Sequence, residues 1–268
     1  MMPLVKAELT KLSRQRATLF WGFLAVPIAA TLFKLGLQAL VLSHTGRIPA
    51  PDADFLLSAA QALNISGNSV AQLLFAIGIA SVFNVEYRHS TWRHLVPRFS
   101  RLHLWAAKFL ACLILLSASL VLTAAGSLML NIGNALVYGQ GILATALPVG
   151  SASTLVLAFA IAFLELAVLA AFVSAITILA RSMIAAVIPA FLLGIGATLS
   201  QVYFGRTDDV LPLPSLAAGM LRDWLAAPVG FTEAQGGAPT GFAILSLWLV
   251  AAAMIGAVAF MRQQLASE

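Results

Sequence analysis

Six long apolar segments constrain the fold of this chain more than any other feature of its sequence. About 20 apolar residues cross the hydrocarbon core of a bilayer as one helix. The segments of about that length run over residues 17–42, 67–85, 109–131, 151–180, 183–204 and 241–261. Only 9% of the residues are charged, whereas soluble domains carry about 25%. The sequence therefore predicts an all-α, multi-pass membrane protein with six transmembrane helices, organised as one transmembrane domain over residues 1–268.

Basic residues are distributed unequally between the two sides of these segments. Eleven of them lie before the first segment, in the second and fourth connectors, or after the sixth segment: Lys6, Lys11, Arg14, Arg16, Arg88, Arg93, Arg98, Arg101, Lys108, Arg181 and Arg262. The other side has three arginines and six acids. Because Lys and Arg collect on the cytoplasmic side of spans, we expect cytoplasmic termini and a location in the inner (plasma) membrane. The same rule accounts for the net charge of +5, so a nucleic-acid partner is not expected.

The N-terminal segment before the first span has a helical pattern of its own. Val5, Leu9 and Leu12 share one helical face within residues 1–16, and basic residues flank that face. This pattern predicts an amphipathic helix that lies in the inner membrane interface. An ordinary cytoplasmic flank of the first span is the alternative.

Two outer connectors also contain segments with helical patterns. Residues 54–63 predict one short helix. In the fifth connector, Ser215 follows two prolines and is placed to cap a helix over residues 215–227. The apolar stripe of that predicted outer helix consists of Leu216, Met220, Leu221 and Trp224.

The second connector, EYRHSTWRHLVPRFSRLHLWAAK over residues 86–108, mixes basic and large apolar residues. Tyr87, Thr91 and Leu95 share a helical face. Pro97 should end that helix, because its ring clashes with the preceding turn, and Ser100 can cap the next one. The pattern indicates two helices separated by a break, with an apolar stripe against the membrane or a partner. A solvated loop with no further role is the alternative.

Two ionisable residues, Lys34 and Glu165, lie deep within predicted spans. At about 1.5 Å per residue, their distances from Arg16 and Arg181 place them at similar depths. Ionisable groups in lipid usually find a partner or a wet cavity. We favour a structural Lys34–Glu165 pair between the first and fourth spans. Two alternatives stay open: Glu165 lines the transport path and meets cationic cargo or protons, or Lys34 reaches the outer interface.

The sequence contains no recognisable catalytic, cofactor-binding or metal-binding motif. No GxxxxGK[ST] phosphate-binding loop occurs. The one cysteine, Cys112, lies in an apolar segment, and the histidines lack metal-ligand spacing. We therefore expect a chain that is not itself an enzyme and holds no cofactor or metal.

The motifs of the second connector, together with the six spans and the basic AELTKL start, resemble the permease subunits of type-2 ABC exporters. That family has a Glu-Tyr/Arg-Arg-x-Gly-Thr run after the second span, which Glu86, Arg88 and Thr91 match. An SR pair and a basic residue at the start of the third span follow, matched by Ser100, Arg101 and Lys108. Ser90 stands where the family usually has Gly.

The resemblance implies a transport mechanism that depends on partner subunits. Two permease subunits, identical or different, would form a dimer around a central path. A coupling helix over about residues 88–96 would dock a separate ABC ATP-binding subunit, which holds ATP and Mg. The outer helix would cover the path. The residues implied to take part in ATPase coupling are Glu86, Arg88, Thr91, Trp92, Arg93, Leu95, Arg98 and Arg101.

Two other classes of function remain as alternatives at this point. A secondary transporter that works without ATP would need charged residues on its path and inverted repeats with broken helices. A membrane immunity or scaffold protein would bind a peptide without transporting it. The apolar interior suggests an amphipathic cargo, although the sequence does not indicate which one.

Overall fold

The computed structural model describes residues 1–46, 54–89, 99–137, 149–204, 211–227 and 232–263. Within these ranges the chain forms helices joined by short turns, without a β-strand. We number the helices α1 to α9 in chain order. They are α1 Met2–Arg14, α2 Arg16–Thr45, α3 Phe55–Ala62, α4 Ser69–Arg88, α5 Arg101–Val137, α6 Val149–Ala180, α7 Met183–Phe204, α8 Pro214–Ala226 and α9 Thr232–Arg262.

Six of the described helices, α2, α4, α5, α6, α7 and α9, are long and apolar enough to cross a membrane. They coincide with the six predicted segments, and the prediction of six spans is confirmed. The third and sixth spans are longer than predicted, because helix continues from Arg101 and from Thr232. The assignment of the whole chain to a single domain stays a prediction.

Helix α6 lies at the centre of the bundle. It contacts α3, α4, α5, α7, α8 and α9, and its most apolar stretch is 61% buried, against 17% for α2. Side chains such as Leu166 and Val173 lose essentially all exposure there. The peripheral helices expose apolar side chains instead, including Phe33 of α2, as expected of surfaces that meet lipid.

The C-terminal end of the described chain lies beside the last turns of α4 and α6. Tyr87, at the end of α4, donates a hydrogen bond to Gln263 beyond α9 at 2.8 Å. Gln263 in turn donates to the carbonyl of Ile178 near the end of α6 at 3.1 Å. We call this end of the bundle the basic end, because Arg88, Arg101 and Arg262 lie there, and the opposite end the distal end. The predicted cytoplasmic location of the basic end stays a prediction.

The N-terminal helix α1 packs against α5 at the basic end. Leu12 is only 2% exposed, and Leu4 and Leu9 pack beside the same hydrophobic core. The predicted amphipathic helix over residues 1–16 is therefore present as Met2–Arg14. Its placement in the membrane interface stays a prediction.

The first and second spans touch at a pair of glycines. Gly22 lies in a π-helical turn, Phe20–Leu24, within α2. A Cβ built on Gly22 would lie 2.3 Å from Cα of Gly78 in α4, and one built on Gly78 would lie 2.6 Å from Cα of Gly22. Because such distances do not occur between real atoms, both positions require glycine. Close backbone contact of this kind is common between membrane helices.

The turn between α6 and α7 is tight. Arg181 adopts a left-handed conformation with φ of 51°, which usually suits glycine better than other residues. The backbone N–H of Ala185 donates to the Ser182 hydroxyl at 3.4 Å. This turn ends α6 and starts α7 within two residues.

Two short helices cover part of the distal end. The predicted helix over residues 54–63 is present as α3, with Asp54 as its N-cap: the Asp54 carboxylate accepts from the backbone N–H groups of Leu56 and Leu57, both at 3.0 Å. Ser151 of α6 also donates to this carboxylate. Burial pushes the pKa of Asp54 upward, but these hydrogen bonds outweigh burial and leave the pKa below its ordinary value.

The second short helix at the distal end, α8, corresponds to the predicted outer helix. It starts at Pro214, so the prediction that Ser215 caps it is wrong: Leu213 occupies the N-cap position without a side-chain hydrogen bond. Proline suits the first helical position because its φ angle is already fixed there. Leu221 is buried, and Leu216, Met220 and Trp224 are half-buried. Helix α8 packs on α9 and α6.

Candidate functional site

Four charged side chains form a network at the basic end, and its central pair is buried. Lys108 Nζ of α5 donates to Glu86 Oε1 of α4 at 2.9 Å and to Glu8 Oε2 of α1 at 2.7 Å. Lys11 of α1 also pairs with Glu86 Oε1. Glu86 and Lys108 are at most 1% exposed. We call Glu8, Lys11, Glu86 and Lys108 the basic-end network. Its two positive and two negative charges balance, which buried charges require.

The basic-end network holds three helices together. Glu86 lies in the last turn of α4 and Lys108 in the second turn of α5, so their ion pair joins the two ends of the second connector. Glu8 and Lys11 attach α1 to that junction from the same side. The network therefore fixes the connector's ends relative to each other and to α1.

The structure places three of the eight predicted coupling residues. Glu86 is buried in the basic-end network, and Arg88 is exposed at the end of α4. Arg101 donates to the carbonyl oxygens of Met261 at 2.8 Å and Gln263 at 2.5 Å, so it binds the end of α9. The helix predicted over residues 88–96 lies largely outside the described residues. So do five of the coupling residues: Thr91, Trp92, Arg93, Leu95 and Arg98.

A second polar network surrounds Glu165 near the distal end. Glu165 of α6 is 2% exposed. Its Oε2 accepts from Ser66 Oγ at 2.9 Å and from Arg222 of α8, and its Oε1 accepts from Gln72 Nε2 of α4 at 3.1 Å. Arg222 also donates to Ser66 Oγ at 2.8 Å. We call Ser66, Gln72, Glu165 and Arg222 the distal network.

The predicted Lys34–Glu165 pair is wrong: the cation on Glu165 is Arg222. Lys34 instead donates to the hydroxyls of Ser58 and Ser127, both at 3.1 Å. The physical reason is the helix arrangement, since α2 packs mainly on α4 and α5 rather than on α6. Equal depth along two helices does not bring side chains together unless the helices are neighbours.

Arg222 reaches Glu165 because a glycine leaves room for its guanidinium. A Cβ built on Gly67 would lie 2.6 Å from Arg222 Nη1. Gly67 ends the 3₁₀ turn that joins α3 to α4. Ser66 in the same turn contributes its hydroxyl, so one short segment both accommodates and binds the arginine.

A cleft borders the distal network beneath the start of α8. Its polar lining consists of Gln72, Glu165 and Ser215, and its apolar wall includes Phe172 of α6, Leu193 of α7 and Trp248 of α9. Phe172 and Trp248 contact each other edge to face, with ring centroids 6.1 Å apart. The cleft therefore combines a buried carboxylate with an aromatic and aliphatic wall.

Sequence reasoning missed most of these contacts. The two networks include five residues for which the sequence predicted no partner: Glu8, Lys11, Ser66, Gln72 and Arg222. Arg222 had a usable signal, since it is a lone arginine on the apolar outer helix. Among the described residues no group of three His, Cys, Asp or Glu side chains is placed to hold a metal ion. The expectation of no metal or cofactor in this chain remains a prediction.

Comparison with known proteins adds one match. A family model described as "ABC-2 family transporter protein" matches residues 4–197. That range includes both networks except Arg222. The comparison with curated proteins gives no match, and neither does the comparison with solved structures.

Proposed function

Because this chain belongs to the ABC-2 family of transporter proteins, we propose that it is the membrane-spanning subunit of an ATP-driven exporter. The family and the six apolar helices make it an integral, multi-pass membrane protein. ABC-2 membrane subunits are generally not ATPases themselves. The proposal adds a separate ATP-binding subunit, which binds ATP and Mg and docks on the second connector at the cytoplasmic face of the inner membrane.

The observation that carries the proposal is the basic-end network. A partner that moves the second connector must move α4 and α5, because the connector joins them. The buried Glu86–Lys108 pair keeps the connector's two ends at a fixed spacing. Glu8 and Lys11 make α1 follow the same movement. A displacement of the connector would therefore pass to three helices as one unit rather than be absorbed within the hairpin.

The proposed docking surface is the connector itself. Arg88, exposed at the end of α4, starts a series of arginines that continues with Arg93 and Arg98. These arginines would face an acidic groove of the ATP-binding subunit, while Trp92 and Leu95 supply apolar anchors. Arginine and tryptophan are frequent hot spots of protein interfaces. Glu86 is buried, so its part in coupling would be to hold Lys108 and Lys11 rather than to touch the partner.

At the other end, α8 would cover the transport path on the outer side. The Arg222–Glu165 pair supports this proposal, because it ties α8 to the central helix α6. The path itself would lie between this chain and a second permease subunit, identical or different. The exposed apolar faces of peripheral helices such as α2 would contact membrane lipid or that subunit.

Co-purification tests the proposed docking directly. The chain would be tagged, extracted from its native membrane and examined for a bound protein with an ATP-binding motif. We expect the double variant Trp92→Ala, Arg93→Glu to lose that protein while its membrane insertion stays normal. Arg206→Glu makes the same charge change in the fifth connector, on the predicted outer side, and should keep the partner. Equal recovery of the ATP-binding protein with both variants would refute docking on the second connector.

A further inference from the structure

The cleft beside the distal network presents hydrogen-bond acceptors that the protein leaves available. Glu165 is the first of them. Its Oε2 takes two donors, Ser66 and Arg222, whereas its Oε1 takes only the Gln72 amide, at 3.1 Å. An ionised carboxylate has about four acceptor positions. Oε1 therefore has room for a further donor, on the side where Gln72 lines the cleft.

Gln72 supplies the second acceptor. Its Nε2 has two hydrogens, which donate to Glu165 Oε1 at 3.1 Å and to the carbonyl oxygen of Ser66 at 2.9 Å, and Ser215 Oγ lies 3.4 Å from the same nitrogen. Because the carboxylate and the carbonyl can only accept, this nitrogen assignment is fixed by chemistry. The Gln72 carbonyl oxygen then points to the cleft wall, where a Cβ built on Gly194 would lie 3.0 Å from it. Among the described residues that oxygen accepts no hydrogen bond.

Ser215 supplies the third acceptor, and the remaining lining supplies little that would suit an anion. The Ser215 hydroxyl lies at the start of α8, within reach of Gln72. The Trp248 indole N–H is already used, since it donates to the carbonyl of Pro212 at 2.8 Å. The ring of Trp248 and that of Phe172 remain as an aromatic wall, which attracts cations and apolar chains alike.

From this arrangement we infer that the cleft binds the primary ammonium group of an amphiphilic cargo. Such a group has three N–H donors, which match Glu165 Oε1, the Gln72 carbonyl oxygen and Ser215 Oγ. The cleft has a volume of about 30 Å³, so it takes the ammonium group alone, and the cargo's apolar chain extends out past Phe172, Leu193 and Trp248. A quaternary ammonium group has the same charge but no N–H donor, so it fits less well. The claim that the amphiphile is a transported cargo rests on the proposed function. The claim that the cleft binds it does not.

The test uses the full chain in phosphatidylcholine nanodiscs, without an ATPase partner. Three probes share one brominated eight-carbon chain: bromooctylammonium, its trimethylammonium analogue and bromooctanol. Bromine quenches nearby tryptophan fluorescence, and Trp248 lines the cleft. Trp248→Phe removes this reporter and identifies the quenching that comes from the site. We expect half-saturation by the primary ammonium probe at a concentration at least about tenfold lower than by the other two. If all three probes reach half-saturation at the same concentration on the unaltered chain, the inference is overturned.

Two substitutions should act in opposite directions. Glu165→Gln removes the carboxylate, so the preference for the ammonium probe should be lost. Arg222→Gln removes a positive charge from the same carboxylate, so that probe should bind severalfold more tightly. If both variants weaken ammonium binding equally, Glu165 serves only to hold the fold and the inference fails.

A pair of glycine variants tests the position of the site. Gly194→Ala brings a methyl group against the Gln72 carbonyl oxygen and should weaken ammonium binding severalfold. Gly196→Ala lies two residues further along α7, where a Cβ would meet nothing within 4 Å, and should leave binding unchanged. Identical effects from the two variants contradict a site beside Gln72.

Changing the lipid of the nanodiscs shows whether the bound ammonium group belongs to a transported cargo or to a bilayer lipid. Phosphatidylethanolamine carries a primary ammonium head group, so adding it to the nanodiscs tests whether a bilayer lipid occupies the cleft. If the cleft binds a transported cargo, the bromooctylammonium concentration that gives half-saturation should stay unchanged when phosphatidylethanolamine is added. A rise of tenfold or more in that concentration assigns the cleft to a lipid head group and overturns the cargo assignment. Because no ATPase is present, this result is independent of the co-purification test.

Discussion

The two buried networks of this protein use charge in different ways. The basic-end network has four charges of balanced sign on α1, α4 and α5, and Glu86 and Lys108 within it are fully buried. The distal network has one acid and one base, supported by a serine and a glutamine, and it borders a cleft. Each network also has one partly exposed cation: Lys11 keeps 37% and Arg222 keeps 19% of its side chain exposed. The first network suits a fixed junction between helices, and the second suits a contact that a ligand can reach.

The largest effect should come from removing the central charge of the basic-end network. Lys108→Met removes the cation that Glu8 and Glu86 share, which leaves the basic-end network with one positive and two negative charges. Breaking one partner of a buried ion pair costs about 3–5 kcal/mol. We expect a corresponding loss of thermal stability in detergent, measured by fluorescence-detected size-exclusion chromatography.

Arg88→Met provides the matched control for that prediction. It removes a cation from the last turn of α4, where the side chain is exposed, so the change should stay within about 0.5 kcal/mol. A similar loss from both variants would mean that the basic end responds to total charge, not to the buried pairs.

A smaller effect is expected at the distal end. Arg222→Gln removes a partly exposed cation and leaves Glu165 with its hydrogen bonds from Ser66 and Gln72. Hydrogen bonds to charged groups contribute about 1.5–3 kcal/mol. The same thermal measurement should therefore rank Arg222→Gln below Lys108→Met. The reverse ranking would contradict the distinction between a junction of helices and a network that borders a cleft.

A variant at the glycine contact between α2 and α4 tests helix packing without changing any charge. Gly78→Ala leaves both networks chemically intact but forces the two backbones apart, because the new Cβ would lie 2.6 Å from Gly22 Cα. Overpacking of this kind costs about 1–3 kcal/mol. Gly36→Ala in α2 has no atom within 4 Å of its Cβ and serves as the control. Equal melting temperatures for these two variants would exclude close packing at Gly78.

The smallest effect concerns Asp54, the N-cap of α3, which also accepts a hydrogen bond from Ser151 of α6. Asp54→Ala should cost about 1 kcal/mol, whereas Asp54→Asn keeps a capping oxygen and should cost less. The folded pKa of Asp54 lies below its ordinary value of 3.8. The charged form of Asp54 therefore stabilises the fold at pH values above 3.8. This stabilisation is lost as the pH falls through the lower pKa of the folded state.

Thermal unfolding at pH 7 and in acid measures the Asp54 effect. The difference between the unaltered chain and Asp54→Ala should shrink in acid. A difference that grows with falling pH would show that the cap does not depend on the ionised carboxylate.

The parts of the site that the sequence predicted are those that depend on one segment at a time. The outer helix and its apolar stripe follow from the spacing of Leu216, Met220 and Trp224. The deep placement of Glu165 follows from counting residues along its own helix. Its partner did not follow, because Arg222 is 57 residues away and outside the spans that the depth argument compared. The starting residue of α8 was also misplaced, since Pro214 opens a helix as readily as Ser215 caps one.

The sequence alone determined the six membrane helices, because hydropathy and length act locally along each segment. It also determined that one end of the bundle is basic. Only the tertiary structure decided which polar side chains meet: Glu86 with Lys108 and Lys11, and Glu165 with Arg222 rather than Lys34. The physical reason is that such pairs depend on which helices are neighbours and how each is rotated. Close contacts such as Gly22 with Gly78 help to set that arrangement, and they involve segments far apart in the chain.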